Sequence, residues 1–313
     1  MILHEDICRF LRGNGLECDI EQIDGYQVIR TAAGPAVLPV SISETDPDQA
    51  RTKAEATIRL VRILSRQTGS YPLIITEDRW RLQTGMMQRR LLAHLRIYVQ
   101  IYARNCEVRK IDKKTAAEFL QANHSYGDAA CRHRYGLFLK RYTGHSANGS
   151  TEHPVNDNHE HSANLNSGEG IVTEFRQAVR PSAGELVAVA TFSNGRKWVK
   201  GEKTIRSYEW TRYASLPGVR LSGGMGRLMK AFIDDVKPDD IMTYADLEWS
   251  EGGVYEALGF VLEGVKSPVL FEVDTVGWRR NAHIGSGATD SEAIRYFQNF
   301  GSNKYRLKLT EYV

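Results

Sequence analysis

The sequence predicts an α/β (α+β) chain: a twisted mixed sheet with helices on its faces, preceded by a smaller α/β unit. Three observations predict it. From Glu185 onward, short apolar runs alternate with stretches at helical spacing, the pattern of a sheet covered by helices. Residues 1–102 carry a self-sufficient set of elements of ordinary domain size. Between Gly144 and Gly170 large apolar residues nearly vanish, so that stretch builds no core and reads as a disordered polar insertion. The expected organisation is 1–102 as one domain and 103–313 as the other, with the insertion at 144–170.

The elements follow in order. Ile7, Phe10 and Leu11 share one side of a short helix over 3–12, stopped by Gly13 and Gly15. Tyr26–Arg30 and Ala36–Ile42 form a hairpin around Ala33-Gly34-Pro35. Asp46 is an N-cap and Pro47 a first-turn proline for a helix to about Arg66, whose apolar side is Ala54, Ile58, Val61 and Leu64. A buried strand over Tyr71–Thr76 is followed by a helix over 82–101.

Beyond the boundary, Cys106–Ile111 and Arg134–Tyr142 read as strands around a helix at Lys113–Ala122. Strands at Glu185–Phe192 and Ser207–Tyr213 precede a helix at 224–236, a strand at Ile241–Ala245 and a short helix at Gly253–Leu258. Further strands lie near Val261 and over Val269–Val273. A helix over 290–300 and a strand at Tyr305–Thr310 close the chain.

Composition narrows the class. Hydrophobic residues make up 42% and charged residues 25%, the balance of a globular chain. No apolar run approaches the roughly 18–20 residues that span a bilayer, and MILHEDICRF lacks the apolar centre of a signal peptide, so a cytoplasmic protein without membrane contact is expected. Cys8, Cys18, Cys106 and Cys131 form no CxxC pair and read as buried thiols, with no metal site expected. His145, His153, His159 and His161 read as solvated residues of the polar insertion. A net charge of +3 is too small to imply nucleic acid. Basic residues nevertheless concentrate between Arg79 and Arg141, as a phosphate-facing surface or as solvated faces of helix and strand.

The chemistry-bearing segment begins at Ser222. Gly223, Gly224 and Gly226 open a helix whose Leu228, Met229, Phe232, Ile233 and Val236 fall at helical spacing. Free amides at such a start, helped by the helix dipole, cradle phosphate, and Arg220 and Arg227 add charge; a plain helix-start turn is the alternative. Downstream, Tyr244-Ala245-Asp246 ends a strand and Tyr255-Glu256-Ala257-Leu258-Gly259-Phe260 closes a short helix.

This pairing resembles the GNAT-type N-acyltransferases, in which a small helix after the fifth strand ends in Tyr-x-x-x-Gly-Phe. The resemblance implies a GNAT-like sheet and acetyl-CoA or another acyl-CoA as acyl donor to an amine acceptor. It implies pyrophosphate binding by Ser222, Gly223, Gly224, Met225, Gly226 and Arg227. The loop departs from the family pattern: Leu221 stands where the family has Arg or Gln, with Arg220 one place early. Tyr255 matches the tyrosine that protonates the leaving thiolate, and Glu209 would act through water as the base. Read as structural residues, Tyr255 is a core aromatic and Glu209 a partner of Arg212 or Arg206.

A second resemblance, to phage homing endonucleases related to very-short-patch-repair nucleases, rests on scattered pieces. They are Ile74–Trp80, Ala103–Cys106, Asn123–Gly127, Tyr208–Tyr213, Ser222–Gly224, Tyr244–Asp246 and Trp249-Ser250. It implies a restriction-endonuclease-like unit before the GNAT-like one. Such a nuclease needs an acid and a Glu-x-Lys pair to hold Mg2+. Asp19 or Asp24 offers the acid, but Ala36–Ile42 supplies no partner, so cleavage is not expected. The alternative to an acyltransferase is therefore a catalytically silent nucleic-acid-binding protein, contacting phosphates through Arg79–Arg141.

Overall fold

A computed structural model describes residues 2–32, 34–140, 180–285 and 291–312. The expected insertion at 144–170 and its four histidines lie outside the described residues. Helix α1 (Leu3–Gly13) buries Leu3, Ile7 and Leu11, one residue per turn on one face. Strand β1 (Cys18–Ile23), absent from the sequence reading, pairs antiparallel with β2 (Tyr26–Thr31). Its four middle residues are exposed, so no apolar alternation betrays it.

β2 pairs antiparallel with β3 (Val37–Val40), as the Gly34-Pro35 turn predicts. Helix α2 (Pro47–Thr68) starts as expected: Asp46 Oδ1 accepts from the Asp48 and Gln49 amides at 2.8 and 3.1 Å. Such a cap is worth about 1 kcal/mol. α2 carries the chain across to β4 (Leu73–Thr76), parallel to β3, which completes a four-stranded sheet ordered β1-β2-β3-β4.

The helix expected over 82–101 is instead α3 (Glu77–Leu82), α4 (Thr84–His94) and strand β5 (Val99–Tyr102). Arg96 breaks the helix with φ of 64°, and Val99 and Ile101 are buried on one side of the extended chain. A strand partner from beyond residue 200 overrides the local helical reading.

The second sheet begins with β6 (Cys106–Lys110), α5 (Lys113–Asn123, capped by Asp112) and β7 (His133–Leu139). After the undescribed segment come β8 (Leu186–Phe192), β9 (Arg196–Lys200), the long β10 (Lys203–Ser215) and β11 (Val219–Ser222). Helix α6 (Gly224–Val236), β12 (Asp240–Asp246), α7 (Gly253–Ala257) and β13 (Val261–Lys266) follow. β14 (Leu270–Asp274), β15 (Arg280–Ala282), β16 (Ile294–Gln298) and β17 (Ser302–Lys308) end the chain.

The expected helix over 290–300 is thus strand β16, flanked on β14 by β15. Its buried Tyr296 and Phe297 point to opposite faces, so both faces are covered, which a strand between sheet and helix allows.

The main sheet is mixed and runs β13-β17-β12-β10-β8-β7-β6, with β9 paired to β10. α6 lies on one face, where Phe232 stacks on Phe192 with ring centres 3.9 Å apart. β11 leaves this sheet and pairs in parallel with β5, Val219 opposite Val99 and Ser222 opposite Tyr102. The core between the first sheet and α2 also takes Val273, Phe297 and Phe300 from the chain's end. The first 102 residues are therefore packed against chain that returns from beyond residue 270.

One ionic cluster ties these parts together. The Arg280 guanidinium meets Asp78 at 2.5 and 2.9 Å and Glu248 at 2.6 and 3.0 Å, and donates to Thr76 Oγ1. Burial opposes its charge, yet the two carboxylates hold its basicity above the ordinary arginine value. Among the described residues no helix is long and apolar enough to cross a membrane.

Candidate active-site cleft

Strands β10 and β12 run in parallel but pair for only three positions: Ser207 with Asp240, Tyr208 with Ile241 and Glu209 with Met242. Past Glu209 they part. β10 bulges between Trp210 and Arg212 and stays with β8, while β12 stays with β17 to Asp246. Thr243 Oγ1, donating to the Trp210 carbonyl at 3.1 Å, bridges them at the fork. Beyond it, among the described residues, the facing edges have no strand partner, and side chains meet part of the β10 backbone: the Arg212 carbonyl accepts from Trp210 Nε1 and the Thr211 carbonyl from Arg212 Nη1.

A cavity of about 920 Å3 fills this fork. Among the stretches lining it are Asn123–Tyr126 at the end of α5, Glu209–Tyr213 on β10, Tyr244–Asp246 on β12 and, just beyond, Trp249-Ser250. All four belong to the pieces quoted for the second resemblance. Arg89 and Arg90 of α4 add a wall from the first 102 residues.

Glu209 and Tyr255 both line the cavity. Alternation along β10 turns Glu209 away from the face that carries Tyr208 and Trp210. Its carboxylate makes no ion pair among the described residues, and Arg206 and Arg212 donate to backbone carbonyls instead. Tyr255 sits on the other face, its ring 6.2 Å from Trp210 and 5.7 Å from Phe260. Burial raises its phenol above the ordinary tyrosine value, opposed by the Thr243 hydroxyl, so Tyr255 holds its proton at neutral pH. The fork joins the two faces.

The glycine segment borders the same space. Met225 lines the cavity. Gly223 caps α6 with φ of 75°, a left-handed conformation that glycine adopts without strain. A side chain at buried Gly224 would strike Leu221, whose nearest atom is 2.6 Å from the added carbon. First-turn amides have no intrahelical acceptor, so those of Gly224, Met225 and Gly226 form a donor set at the positive end of α6.

Ser222 Oγ, in contrast, is held by Gln100 Nε2 at 2.7 Å, and Arg227 Nη1 donates to the Ala103 carbonyl at 2.8 Å. Those two side chains anchor α6 and β11 to the β5 segment.

The structure also brings in groups that carry no role in the sequence reading. Tyr126 Oη donates to Asp246 Oδ2 at 2.5 Å. Burial, then the Glu248 charge, raises the Asp246 carboxyl above the ordinary value, against the Tyr126 hydrogen bond. His124 is pushed down to about 4 by burial and by Arg212 and Arg79. Its Nδ1 accepts from the Tyr126 amide at 3.1 Å, so the neutral ring carries its proton on Nε2. The signal was present in Asn123–Gly127 and Tyr244–Asp246, but nothing in spacing joins residues 120 apart.

Among the described residues of the basic run that starts at Arg79, several cations are drawn into separate contacts rather than one surface. Arg79 is buried over the Tyr126 ring, and Arg90 donates to the carbonyls of Ile74, Glu248 and Trp249. Arg81, Arg109 and Lys110 are paired with Asp6, Glu107 and Asp235. Cys8, Cys18 and Cys106 are buried as expected, while Cys131 is half-buried. No cluster of three metal-ligating side chains occurs among the described residues.

No protein-family model matches the chain, and no curated protein matches it. Similar solved structures include the NatC complex bound to Gag peptide and CoA, at 10% identity and a TM-score of 0.33, covering 66% of this chain and 99% of that one. Eis1 from Mycobacterium abscessus is similar at 13% identity and a TM-score of 0.31, covering 55% of this chain and 34% of its own. The AtaT toxin, as a tyrosine-to-phenylalanine mutant bound to the C-terminus of the antitoxin AtaR and acetyl-CoA, gives 11% identity and a TM-score of 0.26 over 62% of this chain and 93% of that one.

Proposed function

We propose that this protein is a GNAT-like N-acyltransferase that uses acetyl-CoA or another acyl-CoA and works in the fork between β10 and β12. The observation that carries the reading is the fork itself, beside a glycine-started helix and with Glu209 and Tyr255 on its walls. Parted parallel strands offer edges without a strand partner to an extended, amide-bearing chain, as a sheet edge does to an added strand. The amides of Gly224, Met225 and Gly226 would take phosphate oxygens, with Gly223 giving the backbone its turn. Ser222 and Arg227 support the loop from behind in this reading, through Gln100 and Ala103.

An acyl-CoA, when bound, supplies a thioester carbonyl for attack by an amine. Glu209 takes a proton from the incoming ammonium through water, and Tyr255 Oη gives one to the departing sulfur. The opposite facing of these two groups puts acceptor and donor on either side of the sheet. Positioning by the fork and polarisation by strand amides supply most of the rate.

Residues 1–102 would serve as the supporting domain and 103–313 as the catalytic one. For the former we keep the restriction-endonuclease-like reading as ancestry without cleavage. In its support stands the four-stranded mixed sheet, and against cleavage stands β3, whose four residues are all buried and carry neither acid nor amine.

Calorimetric titration of the purified protein with acetyl-CoA tests the proposal, beside Met225→Glu, which places a charge at the helix start. Binding that the variant loses is expected. No heat at millimolar acetyl-CoA would overturn the reading.

A further inference from the structure

β9 and the first residues of β10 form a two-stranded ribbon, and every residue of β9 is exposed. The register sets Lys200 directly opposite Lys203, and Lys197 directly opposite Arg206. Cross-strand neighbours lie close enough for like charges to destabilise the pair. Here both opposed pairs are cation on cation, with Glu202 the one acid between residues 196 and 206.

None of Arg196, Lys197, Lys200, Lys203 and Arg206 forms an ion pair with a carboxylate among the described residues. Lys203 Nζ donates to the Glu311 carbonyl and Arg206 to the Lys237 carbonyl. Elsewhere on the surface, Lys110, Lys230 and Lys304 each meet an acid. Arg196, Lys200 and Lys203 share one face of the ribbon, while Lys197 and Arg206 lie on the other, where Asp239 Oδ2 accepts from the Arg206 amide at 2.7 Å. The first face, with three cations free of carboxylate partners among the described residues, complements a polyanion.

Trp198 decides which one. It is 50% exposed, and alternation along β9 puts it between Arg196 and Lys200 on one face. A flat aromatic between cations is a stacking platform for a base, with phosphates on either side. A lipid surface asks for apolar residues at the tip, but the tip here is Gly201-Glu202.

We propose that the β9–β10 ribbon binds single-stranded nucleic acid, with phosphates on Arg196, Lys200 and Lys203 and a base stacked on Trp198. This surface is separate from the fork and does not depend on acyl transfer.

The test is fluorescence anisotropy of a dye-labelled oligothymidylate with the 313-residue chain over a salt series. Log affinity should fall linearly with log salt, by about 0.7 per phosphate neutralised. Arg196→Glu with Lys200→Glu should weaken binding at least ~10-fold and flatten that slope by about 1.4. Trp198→Ala should weaken binding about 5- to 10-fold and leave the slope unchanged. The single Lys200→Gln variant replaces the double one if the latter melts earlier than the parent protein.

No binding at low salt would overturn the proposal, as would variants that bind like the parent. Binding to phosphatidylserine vesicles without binding to the oligonucleotide would assign the ribbon to membranes and overturn it too.

Discussion

Tyr126 Oη donates to Asp246 Oδ2 at 2.5 Å, closing a gap of 120 residues across the mouth of the fork. Tyr126 follows α5 and Asp246 ends β12, so the bond fixes a loop of the sheet's α5 side to the strand that borders the cavity. Arg79, from α3, lies 4.5 Å from the Tyr126 ring centre and 3.8 Å from Glu248. The first 102 residues thereby help to set the geometry of the cleft.

The Asp246 carboxyl is raised above its unfolded value, so its contribution to stability is present at low pH and lost as pH rises through the folded value. Asp246→Asn should therefore gain stability at pH 7 relative to pH 4. Thermal melting at the two pH values checks this. The variant's Tm relative to the parent should be about 2 °C higher, or more, at pH 7 than at pH 4. An equal change at both would show that the carboxylate is not held against its charge.

His124 carries the opposite sign. Its folded value, about 4, lies below the ordinary imidazole value, so its contribution is present at neutral pH and lost as pH falls from about 6.5 towards 4. His124→Gln should flatten that loss in urea unfolding followed across the window. A variant with the parent's full acid sensitivity would place the titrating group elsewhere.

Arg280 is the keystone of a buried cluster, with Asp78 and Glu248 each only 3% exposed. Arg280→Met leaves buried Asp78 without its cation and Glu248 with only Arg79 among the described residues, 3.8 Å away, and should cost about 3–5 kcal/mol in urea unfolding. Adding Asp78→Asn and Glu248→Gln should restore part of that loss, because neutral groups remove the stranded charge. A triple variant no better than the single one would locate the loss in packing against Phe297, whose ring lies 4.2 Å below the guanidinium.

The elements legible in sequence are those with local physical signatures. The Asp46-Pro47 start of α2 was readable because cap and proline act within one turn. The apolar run of β8 was readable because it is buried on both faces. β5 is read as helix from its sequence because its strand partner, β11, lies more than a hundred residues on. β16 is read as helix although its partner β14 is legible as a strand, because the pairing itself leaves no local mark. β1 escaped because four of its six residues face water. Of the residues that the GNAT resemblance puts forward, Glu209, Tyr255 and Met225 line the cavity, while the Ser222 and Arg227 side chains turn to Gln100 and Ala103. The Tyr126–Asp246 bond and the Arg280 cluster were not legible, since a contact between residues 120 or 202 apart leaves no periodicity in either segment.

The acyl-transfer reading makes a split prediction for its two proton carriers. Tyr255→Phe keeps the ring that packs on Trp210 and Phe260 and removes only the hydroxyl beside Thr243. Acetyl-CoA affinity should stay within about 2-fold, while turnover, followed as free thiol released with a panel of small primary amines, should fall about 10²-fold or more. Glu209→Gln should lower turnover as well, but its loss should shrink as pH rises and the amine deprotonates without help. Tyr255 has no share in that step, so its deficit should persist across the same range. A Tyr255→Phe protein with undiminished turnover would leave the phenol as a core aromatic and move the proton donor elsewhere in the fork.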